Sequence, residues 1–196
     1  MIILGLTGSI GMGKTTIGKM MEYLGCAVHD SDASVKSALN PYGKGFEAVA
    51  LSFPEVWDKK KHLIKKDILS DLVFNDGAAR KKLENILHPI VKRDQRDFLN
   101  KQKALGCEIC VLDIPLLFET GAQERVDYTV VVDAPFFIQS QRVLRRNGMT
   151  EDKFFKILSS QMPNHQKRVL ADFVIQTGLG KAYSMKQVKR VLREIT

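Results

Sequence analysis

Gly8-Ser9-Ile10-Gly11-Met12-Gly13-Lys14-Thr15 is the stretch whose residue types and spacing can do chemistry most directly. It reads G-x-x-x-x-G-K-T, the pattern of a phosphate-binding loop. Glycines at 8, 11 and 13 let the backbone turn tightly and bring its N–H groups against phosphate oxygens. A helix that starts at Lys14 adds the partial positive charge of its N-terminus. In this pattern the Lys14 ammonium reaches the β- and γ-phosphates, and the Thr15 hydroxyl is placed to ligate Mg²⁺. Gly11, Met12, Gly13, Lys14, Thr15 and Thr16 are the residues expected to cradle the nucleotide. The motif implies a nucleoside triphosphate as ligand.

Two acidic positions follow the same logic. Asp113 closes the apolar run Ile109-Cys110-Val111-Leu112, where an acidic residue of the Walker B kind holds Mg²⁺ directly or through water. Asp30 and Asp32 lie two apart at the end of Cys26-Ala27-Val28-His29. In extended chain they face the same side, and one of them is a candidate to orient and deprotonate an attacking hydroxyl. Loop capping is the plain alternative at all three. Arg142, Arg145 and Arg146 fall on a predicted helix from about Phe137 to Arg146, on which Arg142 and Arg146 share a face. Guanidinium forks match phosphate oxygens and can offset charge on a transferring phosphoryl group. The alternative is a solvated basic face.

The elements that must position these residues can be read from periodicity. Ile2-Ile3-Leu4-Gly5-Leu6 is a short apolar run of the kind found in buried parallel strands. From Lys14 to Leu24, Ile17, Met20, Met21 and Leu24 recur at helical spacing. Further strands are expected at 26–29, 109–112, 128–132 and 173–175. Helices fall between them, at about 137–146, 150–161 and 184–194. Strands alternating with helices predict an open, mainly parallel α/β sheet of five strands. Ligands of such sheets bind beyond the carboxyl ends of the strands, where the glycine loop, Asp30/Asp32 and Asp113 would converge.

Residues 33–105 are a polar, helix-rich excursion between two strands. Asn40-Pro41-Tyr42-Gly43, Asn75-Asp76-Gly77 and His88-Pro89 punctuate it. His88 reads as a helix-boundary residue, and Lys59-Lys60-Lys61 with Lys65-Lys66 as a solvated helix face or a contact for a phosphorylated substrate. Phe46, Phe53, Trp57 and Phe74 either pack this block or line an apolar groove.

The chain has 196 residues and a formal charge of +8, which suits polyanionic ligands. The densest positive stretch, Lys59-Lys60-Lys61 with Lys65-Lys66, lacks interleaved aromatics that would stack bases apart from Trp57, and no nucleic-acid partner is expected. No apolar run reaches the roughly 20 residues that cross a bilayer, and no signal peptide is apparent. Cys26, Cys107 and Cys110 form no even disulfide framework, which suits a reducing cytosol. Cys107-x-x-Cys110 lacks a second ligand pair and reads as core packing.

With these residues in view, the chain resembles the dephospho-CoA kinase family over nearly its whole length. The resemblance rests on Leu6–Thr16, Asp30-Ser31-Asp32, Ile86-Leu87-His88-Pro89, Asp113-Ile114-Pro115-Leu116-Leu117-Phe118-Glu119 and Val131-Val132-Asp133. It continues through Gln141-Arg142 to Arg146, Gln161-Met162-Pro163, Lys167-Arg168 and Ala171–Ile175. The run ending in Glu119 and the His88-Pro89 pair are far more specific than the glycine loop. The resemblance implies a cytoplasmic, monomeric P-loop kinase with ATP and Mg²⁺, moving the γ-phosphoryl to the 3′-hydroxyl of dephospho-CoA. It implies a nucleotide core at 1–32, 106–136 and 166–196, a helical acceptor-binding domain at 33–105 and a lid at 137–165. It puts the catalytic base on Asp32 and lid arginines on Arg142 and Arg146, beside Lys14. The chain departs from the family pattern at Lys36, where arginine is usual, at Lys65-Lys66, where an Asp-Arg pair is common, and at Ile175-Gln176-Thr177, where the family often reads Ile-Asp-Asn. A nucleotide-dependent switch would carry a guanine motif such as Asn-Lys-x-Asp, which is absent. Another phosphoryl acceptor is the remaining competitor.

Overall fold

The computed structural model describes residues 1–196. Nine helices and seven strands divide into two compact units, Met1–Asp30 with Lys101–Thr196, and Ser31–Asn100. Residues 137–165 belong to the first unit.

The first unit is built on β1 (Ile2–Thr7), β2 (Ala27–Asp30), β5 (Ile109–Asp113), β6 (Tyr128–Asp133) and β7 (Phe173–Gln176). All neighbours are parallel, in the order β2-β5-β1-β6-β7. Strands covered on both faces need near-continuous apolar sequence. Ile-Cys-Val-Leu in β5 and Val-Val-Val in β6 supply it, with Cys110 to Leu112 and Val130 to Val132 all buried. Helices α1 (Lys14–Tyr23), α6 (Phe136–Leu144), α7 (Glu151–Ser159), α8 (Asn164–Leu170) and α9 (Lys181–Ile195) complete the unit. Ile17 and Met21 of α1, and Val188 and Val191 of α9, meet Leu4, Leu6 and Ile175 in one core. Each such side chain contributes about 1.5–3 kcal/mol by leaving water. Because β2 and β5 lie on one side of β1 and β6 and β7 on the other, the order of strand addition reverses at β1, and the crevice that such a switch opens lies at its carboxyl end.

The second unit holds α2 (Ser31–Ala38), α3 (Phe46–Ser52), α4 (Lys66–Asn75) and most of α5 (Gly77–Ala104). Its own core gathers Phe46, Val49, Phe53, Val56, Ile64, Leu69 and Leu87. The aromatics therefore divide. Phe46 and Phe53 pack the core, Trp57 is half-buried, and Phe74 is exposed.

Three local expectations change. Lys59-Lys60-Lys61 form no helix face. They lie in the turn joining β3 (Trp57–Asp58) to β4 (Leu63–Ile64), a two-stranded antiparallel hairpin. The Asp58 carboxylate accepts the N–H groups of Lys60 and Lys61, both at 3.1 Å, and this local bonding competes with helix. His88-Pro89 is no boundary, since α5 continues through Pro89. A proline there removes one helical hydrogen bond, but Leu83, Ile86, Leu87 and Ile90 around it pack against the core, and tertiary burial prevails. Asp30 and Asp32 are not an extended pair. Asp30 ends β2 and Asp32 stands in the first turn of α2.

The cysteines are unpaired. Burial pushes the Cys26 thiol up to about 11 and the Cys110 thiol up to about 12. Both stay neutral thiols at physiological pH, as core packing requires. Cys107 is half-buried, just before β5.

Candidate active site

The glycine loop leaves β1 at Thr7 and enters α1 at Lys14. Gly11 and Gly13 have φ of +78° and +95°, the left-handed region that glycine adopts without strain. A side chain at Gly11 would also meet Val143 at 2.5 Å. Gly13 is the N-cap of α1, and the first N–H groups of a helix have no intrahelical acceptor. These are the donors a phosphate uses.

Neighbouring strand ends bring acidic groups alongside. In the sheet register Leu6 stands beside Asp113, and Asp113 beside Asp30. The Ile114 N–H donates to Leu6 O at 2.9 Å, and the Thr7 hydroxyl to Pro115 O at 3.0 Å, fixing the end of β5 against the loop. The Lys14 ammonium forms an ion pair with the Asp113 carboxylate, and both side chains are largely buried. Thr15 and Thr16 are exposed on the first turn of α1, and Met12 is buried beneath the loop.

The loop is braced by polar side chains from distant segments of the same unit. Gln139 of α6 donates to Ile10 O at 2.8 Å, while the Ile10 N–H donates to the Gln161 side chain at 3.1 Å. Asn164 Oδ1 accepts the Ser9 hydroxyl at 3.2 Å, and its amide donates to Asp133 at 2.6 Å. Asp133 also accepts from Gln176 at 2.8 Å and pairs with Arg168 at 3.4 Å. Glu119 accepts the Met162 N–H at 2.8 Å and pairs with the fully buried Lys167, also at 2.8 Å. A buried cation needs such a partner, and this pair holds α8 to the loop after β5.

The expected arginines separate. Arg142 is half-buried on α6. Its fork donates to the Thr177 hydroxyl at 2.9 Å and to Thr177 O at 2.8 Å, with Gly11 O at 3.4 Å. Arg146 does not share its helical face, because α6 ends at Leu144 and Arg146 is exposed in the turn beyond it. Asn147-Gly148 lie in the same turn, with Gly148 at φ +73°. Asp32 belongs to the second unit. Gln139, Gln161, Asn164 and Thr177 join the site beyond the residues expected from sequence. All four are uncharged. Gln161 stands in one of the family-like runs and Thr177 at a departure from the family pattern, but neither charge nor periodicity marks any of them as a partner of the loop.

A parallel sheet of this order, with a glycine loop running from its central strand into a helix beside an acidic strand end, defines a P-loop kinase fold. The sequence model of the CoaE dephospho-CoA kinase family matches residues 2–181. A dephospho-CoA kinase of Mesorhizobium japonicum is 46% identical over 196 residues, covering all of this chain and 97% of that one. The crystal structure of TT1252 from Thermus thermophilus superposes with a TM-score of 0.87 at 33% identity, covering 100% and 98% of the two chains. Dephospho-CoA kinase from Campylobacter jejuni gives 0.71 at 26% identity, covering 98% and 96%. The chain belongs to the dephospho-CoA kinase family. It is accordingly a phosphotransferase of coenzyme A biosynthesis that uses ATP to phosphorylate dephospho-CoA. No helix is long and apolar enough to cross a membrane.

Proposed function

We propose that this chain moves the ATP γ-phosphoryl to the 3′-hydroxyl of the dephospho-CoA ribose through Lys14, Asp32 and Arg142, as a cytoplasmic monomer. The observation that carries the assignment of the nucleotide side is the Lys14–Asp113 ion pair at the mouth of the braced loop. Gly11 to Thr16 bind the phosphates through backbone N–H groups and the start of α1. Lys14 offsets charge on the β- and γ-oxygens, where phosphoryl transfer is won mainly by positioning and electrostatics. Thr15 and Asp113 offer hard oxygen donors, which suit Mg²⁺. An ion held largely by phosphates and water needs no cluster of three protein carboxylates or imidazoles, and the chain has none. When bound, Mg²⁺ supplies neutralisation of phosphate charge.

Asp32 is the proposed base. It orients the acceptor hydroxyl and takes its proton as the new P–O bond forms and the bond to ADP breaks, with the proton leaving through the carboxylate to water. Arg142 adds a fixed cation beside the loop. Arg146, exposed and past the end of α6, acts in this proposal only when the stretch between Arg142 and Gln161, inside the expected lid at 137–165 and free of the loop's braces, closes over the phosphates. The second unit is proposed to read the acceptor. Within it Ser34, Ser37, Tyr42, Lys44 and Asp94, with the apolar Ala38 and Ile90, line a cavity of about 250 Å³, in which Lys44 is the one cation available to a phosphorylated ligand.

Incubation of the purified protein with Mg-ATP and dephospho-CoA, followed by ³¹P NMR of the product, tests this reading. A new phosphomonoester at the ribose 3′ position is expected. A product phosphorylated elsewhere, or none at all, would overturn it.

A further inference from the structure

We infer that Thr177 is a positioning residue, whose hydroxyl holds the Arg142 fork against the phosphate loop. The inference rests on the nucleotide site proposed above and deepens it. Thr177 follows β7 directly and is buried, with 7% of its surface exposed. Its N–H donates to Asp133 O at 2.8 Å, so its backbone is fixed by the end of β6. Its hydroxyl donates to Met12 O at 2.6 Å and accepts from Arg142 Nη1 at 2.9 Å. Arg142 Nη2 donates to the carbonyl of the same residue at 2.8 Å. One residue therefore takes both prongs of the fork while its own proton goes to the loop.

The placement is tight. A side-chain carbon at Gly13 would lie 3.2 Å from Thr177 Oγ1 and 3.4 Å from Arg142 Nη1. The latch sits on the glycine that immediately precedes Lys14. All the oxygens that hold Arg142 are neutral, namely a hydroxyl and two carbonyls. They orient the guanidinium without cancelling its charge, which is what an anionic ligand at the loop requires. A hydroxyl can donate and accept at once; valine, of the same shape, can do neither. The latch also ties α6 to the end of β7 and to the loop, with Arg142 lying 35 residues from Thr177 and 131 from Gly11.

Thr177→Val, Thr177→Ser, Arg142→Ala and the Thr177→Val/Arg142→Ala pair test the claim. Turnover with dephospho-CoA, the dissociation constant of Mg-ATP and thermal melting are read for each. Loss of a hydrogen bond to a charged group predicts that T177V lowers kcat/KM about tenfold, with melting close to wild type. T177S is expected to restore activity to within about twofold, and T177V added to R142A to cost no more than about twofold further. Losses that multiply in the pair, full activity in T177V, or equal damage in T177S and T177V would each overturn the inference. Should T177V fail to fold, Arg142→Lys decides the matter, since it keeps the charge and removes the fork. A roughly tenfold fall supports the latch, and unchanged kinetics refutes it. Failure of the wild type to phosphorylate dephospho-CoA would reject the acceptor assignment instead, and the same cycle read on Mg-ATP binding would still decide the role of Thr177.

Discussion

The phosphate loop and the segment around Asp32 both begin at the carboxyl end of a strand in one sheet, yet they are held in different ways. Backbone atoms of the loop at Ser9, Ile10, Gly11 and Met12 are bonded by side chains from Asn164, Gln161, Gln139, Arg142 and Thr177. Asp32 stands on the short helix α2, where the Gln95 amide donates to Ser31 at 2.9 Å and Ser34 is bonded to Asp94, and its neighbours carry exposed cations such as Lys36. Nucleotide phosphates are the same in every turnover, and a rigid cradle prepaid in folding suits them. A long, flexible acceptor calls for a surface of helices with its own core, able to use remote binding energy to orient the reacting hydroxyl.

The sharpest way to break the comparison is at the loop itself. Lys14→Ala is expected to lower kcat by about 10³-fold, the scale of a lost preorganised cation, with circular dichroism and melting little changed. Turnover near wild type would remove the loop from the mechanism. On the other side, Asp32→Asn is expected to lower kcat by about 10²-fold, a general-base effect, while the dissociation constant of Mg-ATP stays within about twofold. Asp30→Asn has the smaller effect in this account. A reversed ranking would mean that the strand-end carboxylate, beside Asp113 in the register, is the base.

The smallest effect lies at the amino end of β2, opposite the strand end that leads to Asp32. Cys26 titrates near 11 in the fold because it is buried, above an ordinary thiol. Between the two values the folded state binds more protons than the unfolded one. The stabilisation is present below the unfolded pKa and declines as pH rises toward 11. Cys26→Ala is therefore expected to show a shallower fall of Tm between pH 9 and 11 than wild type. Parallel curves would contradict the burial argument.

Legibility in the sequence followed the same division. The strands of the first unit were apparent because apolar runs such as Ile2–Leu6 and Val130–Val132 admit few alternatives in a parallel sheet, and the loop because its chemistry is local in sequence. The braces at Gln139, Gln161, Asn164 and Thr177 were not, since each is a neutral side chain that becomes informative only when the fold brings it to a loop carbonyl or N–H. In the second unit the local signals misled. Asp58 folded the lysine run into a hairpin turn, packing carried α5 through Pro89, and α2 began one residue before Asp32 and so turned it out of register with Asp30.

The central claim is that the first unit serves the nucleotide and the second reads the acceptor. Its most direct test is kcat/KM at saturating Mg-ATP for dephospho-CoA, adenosine, AMP and pantetheine phosphate. The account predicts that dephospho-CoA exceeds each of the others by about 10²-fold or more, because remote contacts to the pantetheine arm are spent on orientation. Adenosine or AMP turned over as efficiently as dephospho-CoA would contradict it.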